Sequence, residues 1–139
     1  MKNQTIMNRK SAKKLLMVQW SRFQNVCIEL EGSTLVTGVN GSGKSTVLDA
    51  MTYLLTGNTQ FNKAAKDRDR TVLGYVRGDT RSNGEARYLR NGSVVSYIAM
   101  EFSDPTLGQP LTVGVCIESP SESGKPVIIL SVSGLYFIN

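Results

Sequence analysis

Gly38-Val39-Asn40-Gly41-Ser42-Gly43-Lys44-Ser45 is the stretch on which the reading of the whole chain turns. It fits the pattern G-x-x-x-x-G-K-[ST] without a gap. The glycines permit a backbone path that side chains would block. That path aims successive N–H groups, roughly Gly41 to Thr46, at a β-phosphate. A helix starting near Ser45 adds its positive N-terminal end. Lys44 is expected to reach the β- and γ-phosphates and to be the residue that matters in catalysis, and the Ser45 hydroxyl is expected to ligate Mg²⁺. Asn40, Gly41, Ser42, Gly43, Lys44, Ser45 and Thr46 are thus the expected nucleotide-binding residues, with ATP and Mg²⁺ as cofactors.

Glycine-rich turns arise by chance, so the flanks must decide. Thr34-Leu35-Val36-Thr37 reads as a short strand running into Gly38. Val47, Leu48, Met51, Leu54 and Leu55 recur at helical spacing on the far side and predict one apolar helix face from Ser45 to Leu55, with Gly57 placed to stop it. Strand, glycine loop and helix in that order confirm a P-loop.

Further towards the N-terminus, residues 1–13 read as a polar tail. Leu15 to Val18 make a short strand, and Val26, Ile28 and Leu30 alternate with Cys27, Glu29 and Glu31 as a half-buried strand does. The unit from 14 to 57 therefore holds strands, P-loop and helix. Residues 58–92 are polar and basic, with room for a short element at Val72 to Val76. Residues 93–139 hold strand candidates at Val94–Phe102, Leu111–Glu118 and Val127–Val132. In the first, Val94, Ile98, Met100 and Phe102 share a face; in the second, Leu111, Val113, Val115 and Ile117 do. Short turn-rich connectors between them predict an antiparallel sheet. The chain stops within the strand-like run Leu135 to Ile138, as a piece of a longer protein would. No internal repeat is visible.

Composition narrows the options. The chain has 139 residues, 40 % of them hydrophobic, enough for one domain with a core. Its formal charge is +5. Most of that lies between Lys63 and Arg90, where eight Lys or Arg face four acids. Such a stretch attracts phosphate in a nucleotide or in DNA, or is simply a solvated loop. Two distant cysteines, Cys27 and Cys116, and no histidine exclude the usual zinc frameworks and a Cys–His nucleophile. Both sit in apolar strand-like runs, where a buried thiol in a reducing cytoplasm is the ordinary expectation. No apolar stretch has signal-peptide or membrane-spanning length.

Hydrolysis needs more than the loop: an acid at the end of a hydrophobic strand to help hold Mg²⁺, and a group to position water. Met100-Glu101 and Ile117-Glu118 only imitate that acid, because both glutamates lie in alternating strands and are expected to face solvent. Leu130-Ser131-Val132-Ser133-Gly134 lacks the paired glycines and following helix of an ABC signature and reads as strand.

The run Gly38 to Ala50, with Asn40, Gly41, Gly43, Lys44 and Ser45 in the loop and Leu48-Asp49-Ala50 after it, resembles the N-terminal head segment of SMC, RecF and SbcC-type ATPases. The Trp20-Ser21-Arg22-Phe23 turn between the first strands fits that entry. Asp69-Arg70-Thr71-Val72-Leu73-Gly74-Tyr75-Val76-Arg77-Gly78-Asp79 is similar to the MukB/MksB-like branch, and within it to the JetC type of the Wadjet anti-plasmid system. The resemblance implies an α/β P-loop NTPase fold, the N-terminal lobe of an ABC-type ATPase head with an antiparallel β-part. It implies a C-terminal head half carrying the Mg²⁺-binding Asp, the catalytic Glu and the signature Ser. It further implies homodimers of heads, DNA, kleisin-like and accessory subunits, and a nucleoid-associated cytoplasmic protein. This chain alone would then bind nucleotide without turning it over. An arginine after the first helix contacts phosphate or DNA in related heads, and by position this is Arg77, then Arg70. The rivals are a RecF- or SbcC-like repair ATPase, a non-hydrolysing nucleotide-binding module, and a small P-loop kinase, which the antiparallel strands oppose.

Overall fold

The computed structural model describes residues 11–30, 44–59, 71–79, 88–103 and 110–133. The strand expected at Thr34–Thr37, loop residues 38–43, Arg70 and the run 135–138 lie outside the described residues.

Among the described residues, seven elements follow in chain order: β1 (Ser11–Trp20), β2 (Phe23–Glu29), α1 (Lys44–Thr56), α2 (Val72–Arg77), β3 (Val94–Ser103), β4 (Leu111–Ser119) and β5 (Val127–Ser133). The strands form one sheet in the order β2-β1-β3-β4-β5, antiparallel throughout. β1 is longer than its apolar run and begins at Ser11, inside the stretch read as tail. The reason is pairing with β3, where Ser11 meets Ser103 and Ala12 meets Phe102, which carries these residues into the ladder; pairing with β2 starts at Lys14. A bulge between Ala12 and Lys14 adjusts the β1–β3 register.

Alternation sorts the side chains into two faces. On one face Leu15 and Met17 align with Met100 and Ile98, and these with Val113 and Val115. Both helices pack on the strands β1, β3 and β4. Under them Leu15, Met17, Ile98, Met100, Val115 and Ile117 are buried beside Val47, Ala50 and Leu54 of α1 and Val76 of α2. The other face carries Leu16, Ala99 and Gly114 in one row and Val18, Tyr97 and Cys116 in the next. Glu118 falls on that face and is exposed, while Glu101 is half-buried there, so neither lies on the helix-covered side. The same geometry corrects the expectation for the cysteines: Cys27 is exposed and Cys116 half-buried, both reduced, because both point away from the helices.

The helices differ from expectation in detail. α1 runs from Lys44 to Thr56, and the amide of Gly57, at φ +70, closes it onto the Tyr53 carbonyl at 2.9 Å. Its buried face is Val47, Asp49, Ala50, Tyr53 and Leu54, whereas Leu48 and Leu55, expected inside, are exposed. The buried arc is rotated towards Asp49 and Tyr53 because both find partners there, described below. The short element expected near Val72 is α2. Thr71 caps its start, its hydroxyl accepting from the Gly74 amide at 2.9 Å. Gly78 ends it in the left-handed region at φ +72, where a Cβ would stand 3.0 Å from both Leu89 Cδ1 and the Ser21 carbonyl oxygen. Glycine is the residue that both constraints admit.

Candidate functional site

Of the expected nucleotide-binding residues, Lys44, Ser45 and Thr46 are described; Asn40, Gly41, Ser42 and Gly43 lie outside the described residues. Lys44 and Ser45 are the first two residues of α1, at the end where helical amides lack intrahelical partners. No acidic residue lies in that first turn. The helix end therefore keeps its positive partial charge with Lys44 beside it, an arrangement suited to a polyanion.

That turn is held from below by aromatic side chains. The indole N–H of Trp20 donates to the Thr46 carbonyl at 3.1 Å. Trp20 is fully buried and stacks on Tyr75, with centroids 4.6 Å apart and planes 14° off parallel. On another side it stacks with Tyr53 at 6.2 Å and 21°. Stacked aromatic pairs contribute about 0.5–1.5 kcal/mol each beyond the area they bury. The Tyr75 hydroxyl donates to the carboxylate of Asp49, which is 4 % exposed. This bond explains why a carboxylate can lie on the buried side of α1. Burial pushes the Tyr53 phenol above its ordinary value. Through these contacts β1 and α2 fix where α1 begins, and so where Lys44 and Ser45 stand.

Sequence reasoning did not assign this role to Trp20, Tyr53 or Tyr75. Asp49 entered only as part of the resemblance to a helix motif. The available signal was one tryptophan next to a turn, with no periodicity to say what it would touch.

Arg77 was expected to contact phosphate or DNA, and its placement does not support this. It is 0 % exposed. Its Nε donates to Ser119 Oγ at 3.1 Å, Nη1 to the Arg90 carbonyl at 3.2 Å, and Nη2 to the carbonyls of Gly92 at 2.7 Å and Ser119 at 3.1 Å. The guanidinium is thus spent on joining the end of α2 to the entrance of β3 and the exit of β4. Arg90 does the matching task on the other side. Its Nη1 donates to the carbonyls of Ser21 and Val76, both at 3.0 Å, and its Nη2 to that of Phe23 at 3.0 Å. Burial lowers its pKa from the ordinary arginine value. Ser21 sits at φ 55, an unusual place for a non-glycine residue, and is held there by donating to the Tyr75 carbonyl and accepting from Arg90.

Comparison with known proteins agrees with this geometry. Residues 12–68 match the family model described as the P-loop containing region of the AAA domain. No curated protein sequence matches the chain. Among solved structures, a chain from work on the "Structural biochemistry of ATP-driven dimerization and DNA stimulated activation of SMC ATPases" superposes with a TM-score of 0.56 at 20 % identity, covering 86 % of this chain and 69 % of that one. The fold is accordingly that of a P-loop NTPase, α/β with a five-stranded antiparallel sheet, in the form seen in the SMC ATPase head.

Proposed function

We propose that this chain is the ATP-binding N-terminal part of an SMC-like ATPase head that acts on DNA. The observation that carries the reading is the start of α1: the Lys44-Ser45 pair of an unbroken P-loop motif opens a helix that has no acid in its first turn. Those residues fit a nucleotide with Mg²⁺. Lys44 would neutralise phosphate charge, the Ser45 hydroxyl would serve as a metal ligand, and the amides from about Gly41 to Thr46 would fix the phosphates. Bound Mg²⁺ would supply charge neutralisation at the β- and γ-phosphate oxygens. Catalysis in such a site rests on positioning and electrostatics, which is what a helix anchored by Trp20 provides.

Turnover needs the C-terminal head half, and two heads would sandwich ATP so that binding joins them and hydrolysis parts them. The similarity of the Asp69–Asp79 run supports the MukB/MksB-like branch and, within it, JetC-type plasmid defence with kleisin-like and accessory subunits. Two free thiols fit a reducing, nucleoid-associated location, and no described helix is long and apolar enough to cross a membrane. Arg77 and Arg90 are occupied internally, so DNA contact by the basic stretch falls to its other members.

The lone Trp20 supplies the test. Its indole bonds the first turn of α1, so titration with ATP and Mg²⁺ is expected to change its fluorescence saturably. Lys44→Ala is expected to weaken that binding by about ten-fold or more, since a charge-assisted phosphate contact is lost. Mixing with the C-terminal head half should give ATP turnover that Lys44→Ala abolishes. A wild-type chain that binds no ATP, or binds it as well as Lys44→Ala does, would sink the proposal. Binding without turnover in the mixture would leave a non-hydrolysing module.

A further inference from the structure

Tyr75, the fourth residue of α2, reaches the start of α1 by two routes. Its ring stacks on Trp20, whose indole N–H donates to the Thr46 carbonyl. Its hydroxyl donates to the carboxylate of Asp49. Thr46 and Asp49 stand three residues apart on α1 and therefore lie on one side of it. α2 is itself pinned. The Ser21 amide donates to the Tyr75 carbonyl, and Arg77 and Arg90 tie the end of the helix to neighbouring carbonyls.

Two points of attachment fix more than one does. A single contact would leave α1 able to turn about its own axis. Contacts at Thr46 and at Asp49 set both that turn and the shift along the axis. Ser45 stands four residues before Asp49, on the same helix face. A hydroxyl rides outside the Cα cylinder, about 3.5 Å from the axis, so a turn of about 20° moves it by about 1 Å. That is large for a ligand of Mg²⁺, which holds its oxygens at about 2.0–2.1 Å in a near-ideal octahedron. A lysine ammonium on a flexible four-carbon stem can follow a displaced phosphate.

The chemistry of the pair points the same way. Two apolar side chains of similar shape could fill the space of Asp49 and Tyr75 at little or no cost in stability. What a buried hydroxyl–carboxylate bond adds is direction, since it holds its partners to a narrow range of distance and angle and apolar packing does not.

We propose that Tyr75 is a positioning residue for the nucleotide site: through Asp49 and Trp20 it sets the rotation of α1, and with it the place of the Ser45 hydroxyl. Tyr75 is buried and acts through these two residues rather than on the ligand. The proposal rests on the reading of Lys44 and Ser45 given above and names what that reading depends on. Its effect falls on the Mg²⁺-dependent part of ATP affinity, because Ser45 is the residue read as the metal ligand.

The test is titration calorimetry of the full chain with ATP, once in Mg²⁺ and once in EDTA, beside thermal unfolding of each variant. Tyr75→Phe keeps the ring on Trp20 and removes the hydroxyl. It should weaken binding about three-fold or more in Mg²⁺ and clearly less in EDTA. Asp49→Asn keeps an acceptor for the hydroxyl and should stay within about two-fold of the unaltered chain. Asp49→Ala joined to Tyr75→Phe should weaken binding no more than the larger single change, as partners in one bond do. Met100→Ala is the control for stability alone. Met100 pairs with Leu15, about 16 Å along β1 from Trp20 by strand rise, so its loss should lower the unfolding temperature and leave the affinity unchanged. An unaltered chain that binds no ATP overturns the functional reading and this proposal together. Binding by the unaltered chain that Tyr75→Phe changes by less than about three-fold overturns this proposal alone. So does a loss equally large in EDTA, or one that Met100→Ala reproduces. Should Asp49→Ala fail to fold, Tyr75→Phe decides.

Discussion

β3 and β5 belong to one sheet, both are rich in apolar residues, and they end in opposite circumstances. In β3, Val94, Ile98 and Met100 are at most 4 % exposed. In β5, Ile128 and Leu130, on the same face, are 47 and 70 % exposed. The difference does not come from the strands themselves. It comes from where the helices are tied. Trp20 and Tyr75 hold α1 and α2 over β1, and the two arginines fasten α2 to the β1–β2 turn and to the ends of β3 and β4. Every one of these ties lies on the β1 side of β5. Burial in this molecule is thus decided by a few directional polar contacts that locate the helices, and the non-directional apolar contacts follow.

The sharpest way to break the comparison is to remove such a tie. Arg77→Ala leaves the carbonyls of Arg90, Gly92 and Ser119 and the Ser119 hydroxyl without their buried donor. The expected loss is about 3–5 kcal/mol of unfolding free energy in a urea titration, because unsatisfied buried polar groups bear the full desolvation penalty. A loss under about 1 kcal/mol would mean that water replaces the guanidinium and that the tie is not what seats α2. Next in size is Ile98→Ala at the covered centre, where Ile98 is 0 % exposed. About 2–5 kcal/mol is expected, the range for deleting a buried aliphatic side chain and leaving a cavity.

How far this was legible from sequence follows the same division. The P-loop, the helix after it and the three later strands could be read, because a contiguous motif and short-range periodicity carry them. The buried face of α1 was misread at Leu48 and Leu55, which are exposed, and Asp49 was given no place in it. Asp49 is buried with the Tyr75 hydroxyl, 26 residues away, donating to it, and no window of α1 contains that information. Cys27 and Cys116 were misjudged for a related reason: alternation shows that a strand has two faces but not which one the helices will cover. Arg77 looked like a ligand-binding arginine by its position after the first helix. Its acceptors lie 13, 15 and 42 residues downstream, beyond any local signal. β5 was readable as a strand, but an apolar run reads alike whether it is buried or bare.

The smallest expected effect sharpens the comparison most. Ile128→Ala makes the same chemical change as Ile98→Ala, on the same sheet face, two strands away. The side chain is already 47 % exposed, so little transfer free energy is lost and no closed cavity forms. What remains is the weaker β-propensity of alanine, so less than about 1 kcal/mol is expected in dilute solution. The two isoleucines should then differ by a factor of about three or more in cost, and equal costs would mean that β5 is covered in solution.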